Sequence, residues 1–222
     1  NGKYFIVGYS GTILSSDDGN SWTAITKNSG TTNGLAGITY GNGSFVTVGD
    51  SGTILTSKDG ETWTLATSNT SNGLTAVAYG NGKYIAVGYS GTILSSMDGI
   101  SWITRNSGTS TGIYKIVFGN NIFVAVGLSG LILTSSDGIS WATQTSETSN
   151  NLQGIEYGNN KYIASGASGT IITSQDGYSW ILSNSGISEH LINVDFLNGK
   201  YFIVGYSGTI LSSDDGNSWT AI

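Results

Sequence analysis

A chain of 222 residues has room for one domain and at most two. Charged residues make up only 10% of it and glycine fills 34 positions, yet 12 Tyr, 6 Trp and 6 Phe at regular intervals predict a packed core rather than disorder. A net charge of -6 with Arg105 as the one arginine argues against phosphate-backbone binding, so no nucleic-acid partner is expected. The absence of cysteine excludes disulfides and thiolate metal sites, and no apolar run approaches the ~20 residues of a membrane helix, so no membrane insertion is expected.

In chain order, the first elements are an Asn1-Gly2 turn, a strand from Tyr4 to Val7, a Gly8-Tyr-Ser-Gly11 turn and a strand from Thr12. A compact turn, Ser16-Asp-Asp18-Gly19-Asn-Ser-Trp22, leads to another strand, and a Ser/Thr/Asn/Gly linker ends at Leu35. From Leu35 the unit is complete. In the segment 74–112, Leu74 to Tyr79 alternates as a strand should, and Asn81-Gly82 predicts a type I′ hairpin because both positions need positive φ. Tyr84 to Val87, Thr92 to Ser95 and the stretch after Trp102 follow as strands two to four. First strands begin at Leu35, Leu74, Ile113, Leu152 and Leu191, and the tryptophans Trp22, Trp63, Trp102, Trp141, Trp180 and Trp219 are spaced by 41 and then 39. A fixed period near 40 belongs to solenoids and propellers. Four short antiparallel strands per period, with no helical pattern, predict an all-β propeller. It forms one domain over 1–222, with repeats 1–34 (lacking a first strand), 35–73, 74–112, 113–151, 152–190 and 191–222. Five complete four-stranded blades and one three-stranded blade follow.

Each tryptophan closes a Ser-x-Asp-Gly-x-Ser/Thr-Trp phrase, whose aspartates are Asp18, Asp59, Asp98, Asp137, Asp176 and Asp215. In the fourth copy Ser135, not Ser136, occupies the serine position. The aspartate is expected to accept turn N–H groups, the glycine to supply positive φ, and the tryptophan to be buried between sheets. The phrase resembles the Asp-box, or bacterial neuraminidase repeat, in a form shortened between Asp and Trp. The run YGNGKYIAVGYSGTILSSMDG is similar to bacterial propellers related to the photosystem II stability/assembly factor. In that family the box sits between the third and fourth blade strands and is structural, so the resemblance implies a fold rather than an activity.

No catalytic site is expected, and no cofactor. A sialidase needs an arginine cluster, and Arg105 stands alone. Gly-x-Ser-Gly, repeated six times, lacks the strand–turn–helix setting of a nucleophile elbow, and the single His190 reads as an exposed loop residue. No ligand set spaced for a metal occurs, and Asp17-Asp18 and Asp214-Asp215 are assigned to the turns rather than to calcium. Binding is sought where repeats differ. On the first strands Lys115, Glu156 and Asp195 are the charges expected near the propeller axis, poised for a ligand or for pairing with each other. The second position of the Gly-x-Ser-Gly turns reads Tyr9, Asp50, Tyr89, Leu128, Ala167 and Tyr206, and exposed tyrosines there suit a sugar or a docked chain.

The first 25 residues return unchanged as 198–222, an offset of 197 or five repeat lengths. The sequence therefore allows six sheets, which is favoured, or a five-bladed ring with a spare copy that exchanges between chains, a route to self-association. Three functions are in play: a non-enzymatic binding or scaffold module with a protein partner, a lectin-like carbohydrate binder, and an engineered or recently amplified repeat with no dedicated ligand. The composition, low in lysine and rich in Ser, Thr, Asn and Gly, leans towards an extracellular or cell-surface protein. The lack of an initiator methionine and of a signal peptide reads as a processed product or a segment of something longer.

Overall fold

The computed structural model describes residues 2–24 and 29–222; Asn1 of the first predicted hairpin and linker positions 25–28 lie outside them. The chain divides into two units, Asn1–Arg105 and Asn106–Ile222.

The first unit holds three antiparallel sheets in chain order: β1 (Tyr4–Gly8), β2 (Thr12–Ser16) and β3 (Thr23–Ala24); β4 (Leu35–Gly41), β5 (Ser44–Gly49), β6 (Ile54–Ser57) and β7 (Thr64–Ala66); and β8 (Leu74–Gly80), β9 (Lys83–Gly88), β10 (Ile93–Ser96) and β11 (Ile103–Arg105). The second unit holds β12 (Ile113–Gly119) to β15 (Ala142–Gln144), β16 (Leu152–Gly158) to β19 (Ile181–Ser183), and β20 (Leu191–Leu197) to β23 (Thr220–Ala221). Both copies of the duplicated segment thus form sheets. The copy at 198–222 is joined to β20 as β21 (Lys200–Gly205), β22 (Ile210–Ser213) and β23, which removes the spare-copy alternative.

The strand register gives each sheet two distinct ends. Leu35 pairs with Gly49, whereas Gly41 pairs with Ser44 and Phe45 with Ser57. The Gly-x-Ser-Gly turn and the start of the first strand therefore share one end, and the hairpin and Asp-box share the other. The hairpins have positive φ at both central positions, 47° at Asn81 and 74° at Gly82, as the type I′ turn requires. Each Gly-x-Ser-Gly is one turn of 3-10 helix; at Ser90 the chain is left-handed, φ 56° and ψ 34°. Glycine follows because its own φ is also positive, and at Gly52 and Gly130 a Cβ would meet a carbonyl oxygen at 2.0 Å.

Sheets pack face to face through alternate apolar side chains. Between the second and third sheets lie Val46, Val48, Ile54, Tyr84, Ala86 and Trp102; between the fifth and sixth lie Ile163, Ile171, Val194, Tyr201 and Ile203. A recurrent joint fixes neighbours. The aromatic ring of Tyr79, Tyr157 or Phe196 lies directly on Gly41, Gly119 or Gly158 of the preceding sheet, where a Cβ would come within 2.0 to 2.2 Å of ring carbon. The hydroxyls of Tyr84, Tyr162 and Tyr201 donate to the carbonyls of those same glycines. Burial pushes the Tyr84 and Tyr201 phenols up to about 12, and raises that of Tyr162.

The box tryptophans depart from the expectation of uniform burial. Trp63, Trp102 and Trp180 are buried and donate Nε1–H to Gly60, Gly99 and Gly177. Trp141 and Trp219 are half-buried, and Trp22 is 37% exposed. The box fixes the turn, but only a packed neighbouring sheet covers the indole.

Candidate functional site

The Asp-box end is repetitive. In every copy the aspartate Oδ1 accepts N–H from the residues two and three positions on, at 2.8 to 3.0 Å: Asn20 and Ser21 at Asp18, Ile100 and Ser101 at Asp98, Asn217 and Ser218 at Asp215. The box serine, whose role the sequence did not disclose, accepts the glycine N–H at 2.8 Å and bonds the aspartate at 2.9 Å in the third sheet. In the fourth copy it is Ser135 that does so. These donors, the N–H three positions on first and then that two positions on, hold the carboxyls of Asp18, Asp59, Asp98 and Asp215 at about 2 and also lower those of Asp137 and Asp176. The boxes spend their charge on their own turns. Grooves at this end are lined by the same parts, as in one of about 310 Å³ bounded by Lys161, Asp176 and Asn217. There Lys161 Nζ donates to Asp215 O at 2.6 Å and Asn217 Oδ1 at 2.9 Å, tying the fifth sheet to the sixth. Asp17 is exposed, and Asp214 pairs with Lys200 at 2.9 Å, so the paired aspartates form no joint site.

On the first strands of the second unit, Lys115 and Glu156 are half-buried and Asp195 is exposed. Burial raises the Glu156 carboxyl, Asp195 adds to the rise, and the Tyr157 N–H (3.0 Å) and Lys115 oppose it. The expected direct pairing is not made: the ion pairs among the described residues are Lys3–Glu61 and Lys200–Asp214. Asp195 instead accepts from Asn193 Nδ2 at 2.8 Å. The three residues influence one another through space without forming one constellation, and no group of three or more His, Cys, Asp or Glu among the described residues could hold a metal.

The 3-10 turn end is where the sheets differ. Every second turn position except Ala167 and Leu128 carries an exposed side chain, Tyr9 being 88% exposed. Each of the five turns in a four-stranded sheet is pinned by its N–H to the carbonyl just before the first strand: Asp50 to Gly34, Tyr89 to Gly73, Leu128 to Gly112, Ala167 to Asn151 and Tyr206 to His190, at 2.8 to 3.0 Å. The residue before the strand thus lies under the turn side chain. In the second unit His190, exposed as expected, stacks on Tyr206 with 5.4 Å between centroids and an 11° interplanar angle. In the first unit the corresponding residues are Gly34 and Gly73, and Tyr9, Asp50 and Tyr89 gather over them. Sequence comparison of the repeats exposed the variable turn column but not this second column beneath it, because the two meet only across the sheet end.

Residues 1–214 match the family model described as photosynthesis system II assembly factor YCF48. Among solved structures, a YCF48 bound to a D1 peptide is similar over 98% of this chain and 76% of its own, with a TM-score of 0.77 and 18% identity. YCF48 from Cyanidioschyzon merolae is similar over 98% and 80%, with a TM-score of 0.73 and 17% identity. Comparison with curated proteins gave no match. The structural likenesses show the fold: an all-β propeller of six blades, four-stranded and antiparallel except for the three-stranded first.

Proposed function

We propose that this chain, which belongs to the photosynthesis system II assembly factor YCF48 family, acts as a non-enzymatic propeller that binds a protein or peptide partner on its 3-10 turn end. The observation that carries the placement is the contrast between ends. The box end repeats one self-satisfied turn, whereas the turn end varies from sheet to sheet and presents Tyr9, Tyr89 and Tyr206 to solvent. Exposed tyrosine combines a large contact area with a polar tip and loses little side-chain freedom on docking. The D1 peptide held by a solved YCF48 supports a peptide as partner here too.

Calorimetric titration of the full chain with a D1 peptide tests this. Saturable binding, weakened several-fold by Tyr206→Ala and unchanged by Asn217→Ala at the box end, is the expected result. Binding indifferent to Tyr9→Ala, Tyr89→Ala and Tyr206→Ala would overturn the placement, and no binding would overturn the peptide partner. The same exposed tyrosines give a lectin-like reading its one support, and a glycan array without a Tyr-dependent hit removes it.

A further inference from the structure

We infer that the open edge of β1 is a strand-addition site, which takes a seven-residue extended segment of a partner protein ending in an aromatic residue followed by glycine. The site lies apart from the 3-10 turn end and does not depend on the reading given above for that end. The molecule contains the filled form of the same site. Lys3–Gly8 and Lys200–Gly205 are the same six residues. The second set holds β20 along one edge, in a register that sets Leu191 on Gly205, Val194 on Ile203, Phe196 on Tyr201 and Leu197 on Lys200. In the first set, β1 pairs with β2, and no strand among the described residues occupies its other edge. Such an edge presents outward N–H and C=O groups, which an added strand satisfies.

The flank of the site is open as well. First strands of neighbouring sheets lie side by side, β8 against β4, β16 against β12 and β20 against β16. On its first-sheet side β4 meets β1, but the first sheet brings no first strand to lie beside it. The fourth residue of β4, Ile38, is half-buried where Val77, Ile155 and Val194 are buried. Its sixth residue, Tyr40, is 50% exposed. The rings at that position in the following sheets of each unit, Tyr79, Tyr157 and Phe196, instead lie on a glycine of the preceding first strand.

These two vacant contacts define the occupant. In every four-stranded sheet the sixth residue of the first strand sets an aromatic ring 4.5 to 4.7 Å from the ring at the start of the second strand, as Phe196 does on Tyr201. Tyr4 holds the second-strand position in the first sheet and is 58% exposed, so the sixth residue of the occupant is aromatic. The seventh falls beneath Tyr40 and must be glycine, because a Cβ at the corresponding Gly41 would come within 2.0 Å of the Tyr79 ring. Apolar first and fourth residues, like the buried Leu74 and Val77, complete the pattern. A second copy of the chain is a poor donor. All five of its first strands are paired in their own sheets, and it would have to open one to supply a strand. An extended partner segment arrives unpaired.

The probe is a dye-labelled peptide with the sequence of residues 74–80, Leu-Thr-Ala-Val-Ala-Tyr-Gly, titrated with the full chain and followed by fluorescence anisotropy. Saturable binding is expected, with slowed hydrogen exchange of the β1 amides. Leucine in place of the final glycine should weaken it about tenfold, and Tyr4→Ala in the chain, which removes the ring partner, about fivefold. A peptide N-methylated at the amides that face β1 should not bind. Absence of saturable binding, or binding indifferent to both N-methylation and the leucine change, would overturn the site. A chain that is dimeric and that the peptide converts to monomer would overturn the partner protein as occupant in favour of a second copy. Strand-peptide binding weakened by Tyr4→Ala while D1 peptide binding is untouched supports a site apart from the turn end, and a D1 peptide that competes with the strand peptide would overturn that separation. Strand-peptide binding by a chain that binds no D1 peptide supports the site and removes only the turn-end reading.

Discussion

At the scale of single residues, the Asp-box divides its work between two side chains of unequal visibility. The aspartate caps the N–H groups two and three positions on, as a short acceptor in a turn is expected to do, while the buried serine caps the glycine N–H that would otherwise be orphaned. Ser96→Ala should therefore cost about 1–2 kcal/mol, read as a lowered denaturant midpoint with unchanged slope. The aspartates make a pH prediction. Folded, four of the box carboxyls titrate at about 2 rather than at the usual 3.8. Between those values the unfolded chain binds more protons than the folded one, so stability falls as pH drops through the interval. Their contribution is complete above about pH 4 and lost below about pH 2. Unfolding midpoints measured across this window should decline steadily towards acid, and a flat profile would contradict the capping account.

At the scale of elements, turn chemistry was legible because it is local. Asn-Gly and Asn-Asn occupy hairpin positions where both φ values must be positive, and the left-handed serine and glycine of the 3-10 turn recur at fixed spacing. The joint between sheets was not legible. Gly41, Gly119 and Gly158 read as strand-ending glycines, and nothing in the sequence says that an aromatic ring from the next repeat lies on each or that a tyrosine hydroxyl caps its carbonyl. Gly158→Ala should cost about 1–3 kcal/mol, because the added methyl must displace Phe196, whereas Gly199→Ala meets no atom and is limited by its positive φ. The candidate site divides in the same way. The variable turn tyrosines could be found by aligning the repeats, while Gly34, Gly73 and His190 gain meaning only from the pairing of turn and strand start.

At the scale of the whole molecule, the duplicated segment acts as an internal control. Tyr4 and Tyr201 occupy the same position in identical 25-residue sequences, yet Tyr4 is 58% exposed and Tyr201 is fully buried. Tyr201→Ala should cost about 3–5 kcal/mol, and Tyr4→Ala well under half of that, in parallel denaturant melts. Equal losses would show that the two copies are buried alike. The sequence by itself determined what its own neighbours along the chain complete: strand alternation, hairpin, 3-10 turn and Asp-box, whose backbone caps are the same in both copies because donor and acceptor lie within a few residues. Only the tertiary structure decided which of two identical tyrosines is core and which of two identical tryptophans is the more covered. Burial is conferred by the surface of another sheet, and that surface belongs to residues far away in the chain.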